Sequence, residues 1–306
     1  MTNIKVIFNP AALAGRVTRL APDLKACLER GANETGARVE WVETQAPEEA
    51  IALAQEAAIE GYELVVAVGG DGTVNEVLNG LMQAQSQGHE VTLGVIPTGS
   101  GNDFAWLAGI PIEPLAACQR LFDGQTRMVD VGHVREAGGR ERYFDNGCGA
   151  GFDARVSLEA RGLKRLGKSL VYVVAVLKTI MLHHQAPSFR IGLDERELTR
   201  PTMMLTIGNG QRHGGAFHST PHAVLDDGLL EVCIAGKLSR LGLLRIIPQF
   251  MRGVHEAHEQ VSMERARRVT VRADAPQVIH VDGEIFATDA VEFEVSVMPG
   301  ALRVMV

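Results

Sequence analysis

Gly69-Gly-Asp-Gly-Thr73 follows an apolar run at 64–68 and opens a stretch with Val74, Val77, Leu78, Leu81 and Met82 at helical spacing. A strand, a glycine-rich turn and a helix N-terminus together make an anion site. Glycines let backbone N–H groups approach phosphate oxygens, and the helix dipole adds partial positive charge. No Gly-Lys-Ser/Thr follows, so this is not a Walker loop, and it is not GxGxxG. Asp71 would repel phosphate unless a cation lay between them, which points to magnesium. The competing local reading is a turn aspartate that only caps a helix.

A second loop weighs against that local reading. The run at 92–96 leads into Pro97-Thr-Gly-Ser-Gly-Asn-Asp-Phe104, again strand, small-residue turn and helix. In a parallel sheet such loops share the carboxyl edge and line the ligand crevice. Ser100 can donate to phosphate, Asn102 can orient, and Asp103 can join Asp71 around a hydrated metal. Asn9-Pro10, after the first strand, supplies a third loop on that edge.

Far along the chain, Glu284 follows Asp282-Gly283 and is expected at a strand end or turn, where charges are usually solvated. His213, His218 and His222 resemble a metal set, but a glycine-rich loop gives them no regular geometry, so surface or supporting positions are expected. His183 and His184 read as partners of a helix C-terminal dipole.

The elements that must position these groups change character along the chain. Up to about residue 127, short apolar runs at 4–8, 38–42, 64–68 and 92–96 alternate with helical patterns, including an Ala-rich helix at 47–60. That alternation implies a parallel sheet covered on both faces. From 128 onward, β-rich segments at 128–134, 142–146, 188–193, 202–207, 229–234, 268–272, 277–281 and 291–297 suggest a mostly antiparallel domain. Helices are expected within it at 158–183 and 239–252.

A chain of 306 residues is long enough for two cores, and 46% hydrophobic with 22% charged residues argues against disorder. The net charge of −7 lowers the expectation of a nucleic-acid partner. Four separated cysteines with no CxxC argue against a disulfide framework or zinc site, and suit a reducing, cytoplasmic setting. The N-terminus reads as a buried strand and not a signal peptide. The most apolar run, 170–177, is shorter than the ~20 residues that span a bilayer even when extended to 182, so no transmembrane segment is expected.

In combination, the loops are similar to the diacylglycerol kinase catalytic-domain family, which includes soluble bacterial lipid kinases and sphingosine kinases. The resemblance is carried by Asn9-Pro10, Gly69–Thr73 with Asn75-Glu76, Pro97-x-Gly-Ser-Gly-Asn-Asp-Phe104 and Val129-Asp-Val-Gly132. It continues through Asn146 with Gly151-Phe-Asp153, Gly208-Asn209, Pro221, Asp226-Asp-Gly-Leu229 and Val281-Asp-Gly-Glu284, covering nearly the whole chain. The family loop commonly has Thr where Ser100 stands, and Ser keeps the hydroxyl. Gly-Gly-Asp-Gly-Thr also occurs in NAD kinases and, slightly altered, in phosphofructokinases.

The resemblance implies an α/β nucleotide-binding domain of NAD kinase/phosphofructokinase type, 1–127, joined by the C-terminal strand 298–306. It implies a β-sandwich-like lipid-binding domain, 128–297, with the active site in the cleft between them. ATP contacts would come from Asn9, Thr44, Gly69, Gly70, Asp71, Gly72, Thr73, Val74, Asn75 and Ser100. Glu284 would be the general base, with Asp71, Asp103 and Asp130 organising Mg2+ and water. A second, structural magnesium would use Asp227 and the carbonyls of Val224 and Leu229.

The implied reaction is phosphorylation of a lipid hydroxyl, placing the chain in lipid metabolism and phospholipid biosynthesis; a family-like homodimer is compatible with it. Peripheral membrane contact is expected from Arg161, Lys164, Arg165, Lys168 and Lys178 on one helix and Arg240, Arg245 and Arg252 on another, against the plain reading that these charges are only solvated. Rival readings are an NAD kinase-like enzyme, a kinase for another hydroxyl compound, and a non-catalytic nucleotide-binding regulator.

Overall fold

The computed structural model describes residues 2–162 and 168–306. The chain divides into two compact units, Met1–Val131 with Pro299–Val306, and Gly132–Met298.

In the first unit, β1 (Asn3–Phe8), β2 (Arg38–Glu43), β3 (Leu64–Gly69) and β4 (Thr92–Pro97) run parallel in the order β2-β1-β3-β4. Arg303 and Val304 extend the sheet, pairing in parallel with Thr92 and Leu93. Every residue of β3 and β4 is buried, as expected for strands covered on both faces. The helices are α1 (Ala21–Thr35), α2 (Glu49–Ile59), α3 (Asp71–Gln85), α4 (Asp103–Ala108) and α5 (Pro114–Asp123). α1 packs on α5, and α2 on α3. The second contact needs small residues: a Cβ on Gly80 would lie 2.2 Å from the Ile51 carbonyl oxygen, opposite buried Ala50, Ala54 and Ala57. The Ala-rich pattern therefore marks a helix that buries a close-approach face.

The second unit is antiparallel. After β5 (Thr126–Glu136) and β6 (Glu141–Phe144) come β7 (Gly147–Gly151), β8 (Ser188–Leu193), β9 (Arg196–Pro201), β10 (Met204–Gly208), β11 (Leu230–Ala235), β12 (Val261–Ala266), β13 (Arg268–Val281) and β14 (Glu284–Met305). The last of these contributes its residues beyond 298 to the first unit. The strand order is β12-β11-β10-β7-β13-β14, with β8 paired to β13 and β9 to β8. One core gathers Phe144, Phe189, Ile191, Ile279, Phe293 and Val295. A second packs α6 (Phe152–Arg161), α7 (Lys168–Leu182) and α8 (Arg240–Arg252) around Met203, Cys233, Ala235 and Val261.

Several elements depart from the sequence expectation. The helix expected at 158–183 is two helices, and α6 starts at Phe152, where the Asp153 carboxylate accepts the Ala154 amide at 2.8 Å. The runs at 268–272 and 277–281 form one strand with a register shift between Arg272 and Gln277. Pro276, which has no N–H to give a ladder, sits inside that shift. β7, β9 and β12 were not expected as strands; β7 reads Gly-Cys-Gly-Ala-Gly and takes its conformation from β10 and β13 on either side.

Candidate active site

The first glycine loop is built by backbone geometry. Gly70 is the extended N-cap of α3 and its carbonyl accepts the amides of Thr73 at 2.9 Å and Val74 at 3.1 Å. The Asn9 side chain donates to the Thr73 hydroxyl at 2.9 Å and accepts from the Ala11 amide at 3.0 Å. Asn9 thereby ties the end of β1 to the head of α3. Thr44, just after β2, is buried and donates its amide to Phe8. Thr73, Val74 and Asn75 are buried, and Asn75 accepts from the Asn79 side chain at 3.2 Å.

Asp71 links the two glycine loops. Its Oδ1 accepts the Asp103 amide at 2.6 Å and its Oδ2 the Asn102 amide at 2.9 Å. Asn102 is left-handed, with φ +51°, and its side chain accepts from the Gly99 amide at 2.8 Å. The loops touch backbone to backbone, since a Cβ on Gly99 would lie 2.5 Å from the Gly70 Cα. Only glycine fits such an approach. Burial raises the Asp71 carboxyl above the usual range, the Asp103 charge raises it further, and the two amides partly offset both.

Asp71 is therefore both the cap that holds the second loop and a member of a carboxylate pair. Ser100 is exposed at the tip of that loop. Asp130 is buried and accepts the Gly300 amide at 2.7 Å, fastening the C-terminal segment. Among the described residues no three His, Cys, Asp or Glu side chains cluster as a metal site. In the sequence Thr98 reads only as a spacer between Pro97 and Gly99. Its hydroxyl is buried beside the loop with no hydrogen-bond partner among the described residues.

In the second unit, Glu284 begins β14 directly after a two-residue turn. Val281 pairs with Glu284, and Asp282 and Gly283 have φ of +45° and +81°, the signs of a type I′ turn. The Asp282 carboxylate accepts the amides of Asp145 at 3.1 Å, Asn146 at 3.1 Å and Gly147 at 2.7 Å. Burial pushes that carboxyl up, while these amides and the Asp145 side chain pull it down. Glu284 itself is exposed and paired with Arg161 of α6. At the loop 224–229, Asp227 accepts the Leu229 amide at 3.0 Å and a guanidinium nitrogen of Arg265 at 3.3 Å, and Val224 is exposed.

Among the described residues the histidines belong to no metal-binding cluster. His222 meets Glu256 at 3.1 Å, His183 meets Glu159 at 3.1 Å and His184 the Leu238 carbonyl at 2.7 Å. Of the basic side chains expected to meet a membrane, Lys164, Arg165 and the Lys168 side chain lie outside the described residues. Lys178 is paired with Glu159. Among the described residues no helix is long and apolar enough to cross a membrane.

Residues 3–134 match the diacylglycerol kinase catalytic domain, and residues 147–306 match the YegS C-terminal NAD kinase beta sandwich-like domain. A diacylglycerol kinase of Mycobacterium tuberculosis is 33% identical over 252 residues, covering 81% of this chain and 78% of its own. A Chromohalobacter salexigens protein named "Probable lipid kinase YegS-like" is 33% identical over 254 residues, covering 82% and 78%. A crystal structure from Bacillus anthracis str. Sterne, described as a candidate diacylglycerol kinase, shares the fold with TM-score 0.80 at 22% identity, over 99% of this chain and 94% of its own. The two glycine loops, the Asp-Gly-Glu turn and the matches along both units converge: the chain belongs to the diacylglycerol kinase family, whose members are kinases with ATP as phosphoryl donor.

Proposed function

We propose that the chain transfers the γ-phosphate of ATP to the hydroxyl of a lipid alcohol, with diacylglycerol as the representative acceptor, Glu284 as general base and Mg2+ at Asp71 and Asp103. The observation that carries this reading is the Asp71 carboxylate bridging two glycine loops, each closed by a helix N-terminus. Phosphoryl transfer requires positioning and neutralisation of phosphate charge more than covalent chemistry. The backbone around Gly69–Gly72 and the hydroxyls of Thr98 and Ser100 would orient the phosphates, while Asn9 holds Thr73 in place.

The residues present suit magnesium. Mg2+ is commonly held by one or two carboxylates together with substrate phosphates. Asp71 and Asp103 supply such a pair, and the raised Asp71 carboxyl marks a position where added positive charge is favourable. When bound, the ion would neutralise charge on the phosphates. Glu284 would accept the hydroxyl proton as the acceptor oxygen bonds to the γ-phosphorus and the bond to the β–γ bridging oxygen breaks, with ADP as leaving group. At 224–229 a second cation, using Asp227 and the carbonyls of Val224 and Leu229, would compete with Arg265 for the carboxylate.

The lipid acceptor is supported by the relatives' names and by an apolar, basic face on α7 and α8. Leu177, Met181, Leu182, Leu241, Leu244 and Met251 are exposed there, and Arg240, Arg245 and Arg252 lie along α8. Such a face suits peripheral contact with anionic headgroups. The deciding experiment incubates the protein with magnesium, labelled ATP and a panel of lipid alcohols, with NAD and glycerol as soluble controls. Phosphorylated lipid is the expected product. Product from NAD alone would overturn the reading in favour of an NAD kinase-like enzyme, and no product from any acceptor would favour a nucleotide-binding regulator.

A further inference from the structure

We infer that His280 is a positioning residue for Glu284: its Nδ1 accepts the Gly283 amide and so fixes the turn from which Glu284 leaves. This rests on the base role proposed for Glu284. The Gly283 nitrogen lies 3.3 Å from Nδ1. A backbone amide can only donate, so Nδ1 carries the lone pair and the neutral ring's proton sits on Nε2. Nε2 faces Asp153 Oδ2 at 3.3 Å. That carboxylate is itself oriented, by the Ala154 amide on Oδ1 and by the Thr206 hydroxyl on Oδ2 at 3.0 Å. A line of carboxylate, imidazole and amide therefore runs from the start of α6 to the turn, and the carboxylate selects the tautomer that the turn needs.

The glycines of β7 make room for this line. A Cβ on Gly149 would lie 2.2 Å from Asp153 Oδ2 and 2.3 Å from His280 Nε2, and one on Gly147 would lie 2.7 Å from the His213 ring. On the alternate positions Cys148 and Ala150 join the sandwich core. The His213 ring stands edge-on to His280, with centroids 5.9 Å apart. The imidazole is buried and has little space to swing.

The turn thus has two anchors. Asp282 is held by its carboxylate on three amides. Gly283, with φ +81° and the freedom of glycine, is held by His280. Losing the second anchor leaves the direction of Glu284 unfixed, and small misplacements of a reacting group are costly.

Two variants of the full chain separate the two ring nitrogens. His280→Asn places an amide oxygen near Nδ1 and can still accept from Gly283. His280→Gln places its amide near Nε2, keeping Asp153 and losing Gly283. Turnover is measured with magnesium, ATP and a short-chain diacylglycerol in detergent micelles, and Gly283 amide exchange by NMR. His280→Gln should lower kcat about tenfold or more with KM for ATP unchanged, and speed Gly283 exchange. His280→Asn should keep both near the parent values. Equal kcat in the two folded variants, or unchanged exchange in His280→Gln, overturns the inference. Full turnover in Glu284→Gln would instead remove the base, while Gly283 exchange still reports on the turn, so the two failures are distinguishable.

Discussion

The guanidinium of Arg161, at the end of α6, is paired with the carboxylate of Glu284, at the start of β14. Both side chains are well exposed, 43% and 61%, so the pair adds little to the fold. Exposed pairs contribute ~0–1 kcal/mol. Arg161→Ala should therefore change stability by less than about 1 kcal/mol, read from urea unfolding. A much larger loss would show that the pair supports the fold itself.

Glu284→Gln keeps an acceptor for Arg161 and removes the proton-accepting charge. Turnover should fall by about 10²–10⁴, the usual worth of a general base, with ATP affinity nearly intact. Activity within a few-fold of the parent would take Glu284 out of the mechanism.

Gly99→Ala tests the contact between the two loops. The new methyl would meet the Gly70 Cα, a backbone atom that cannot rotate aside. A loss of ~1–3 kcal/mol and weaker ATP binding are expected, measured by thermal unfolding and nucleotide titration. Parent-like nucleotide affinity would mean that the loops can part without consequence.

Asp71 makes stability and magnesium respond to pH together. Its folded carboxyl lies above the unfolded value, so its contribution is present at low pH and is lost as pH rises through the folded value. A cation offsets that loss, because it binds the deprotonated form. The rise in Tm on adding magnesium should grow as pH rises through the folded Asp71 value, and should shrink in Asp71→Asn. A magnesium effect independent of both would place the ion elsewhere.

Acid should weaken the fold through a different group. His255 is buried against Phe250, its ring stacked at 3.9 Å, and burial pushes it down to about 4. The unfolded chain takes up that proton near the ordinary value, ~6.5. The contribution is complete above that value and drains as pH falls toward about 4. His255→Gln should flatten the decline of urea midpoints across this window. An unaltered slope would assign the acid sensitivity to other groups.

The α7–α8 face should discriminate between surfaces. Binding to vesicles containing anionic lipid should exceed binding to neutral vesicles, and Arg245→Glu with Arg252→Glu should remove the difference, since each basic residue near such a surface contributes about 1 kcal/mol. No preference between the vesicles would sink the membrane reading.

What was legible in the sequence was what is local. The run into Gly69 and the glycines after it state their own conformation, and Asp282-Gly283 marks a strand end or turn at Glu284. β7 was not legible, because Gly-Cys-Gly-Ala-Gly has no strand preference of its own and is extended only between β10 and β13. Nor was the contact of Asp153 with His280, partners 127 residues apart that no periodicity links. The orphaned Thr98 hydroxyl left no trace, since a threonine between proline and glycine is ordinary turn composition.

Arg303 and Val304 complete the parallel sheet beside β4, more than two hundred residues after that strand. During synthesis that edge of β4 must wait until residues 303 and 304 have left the ribosome. An unpaired strand edge is a template for wrong partners. Removing residues 299–306 should thus harm the nucleotide unit first, through aggregation, even though every glycine-loop residue is still present.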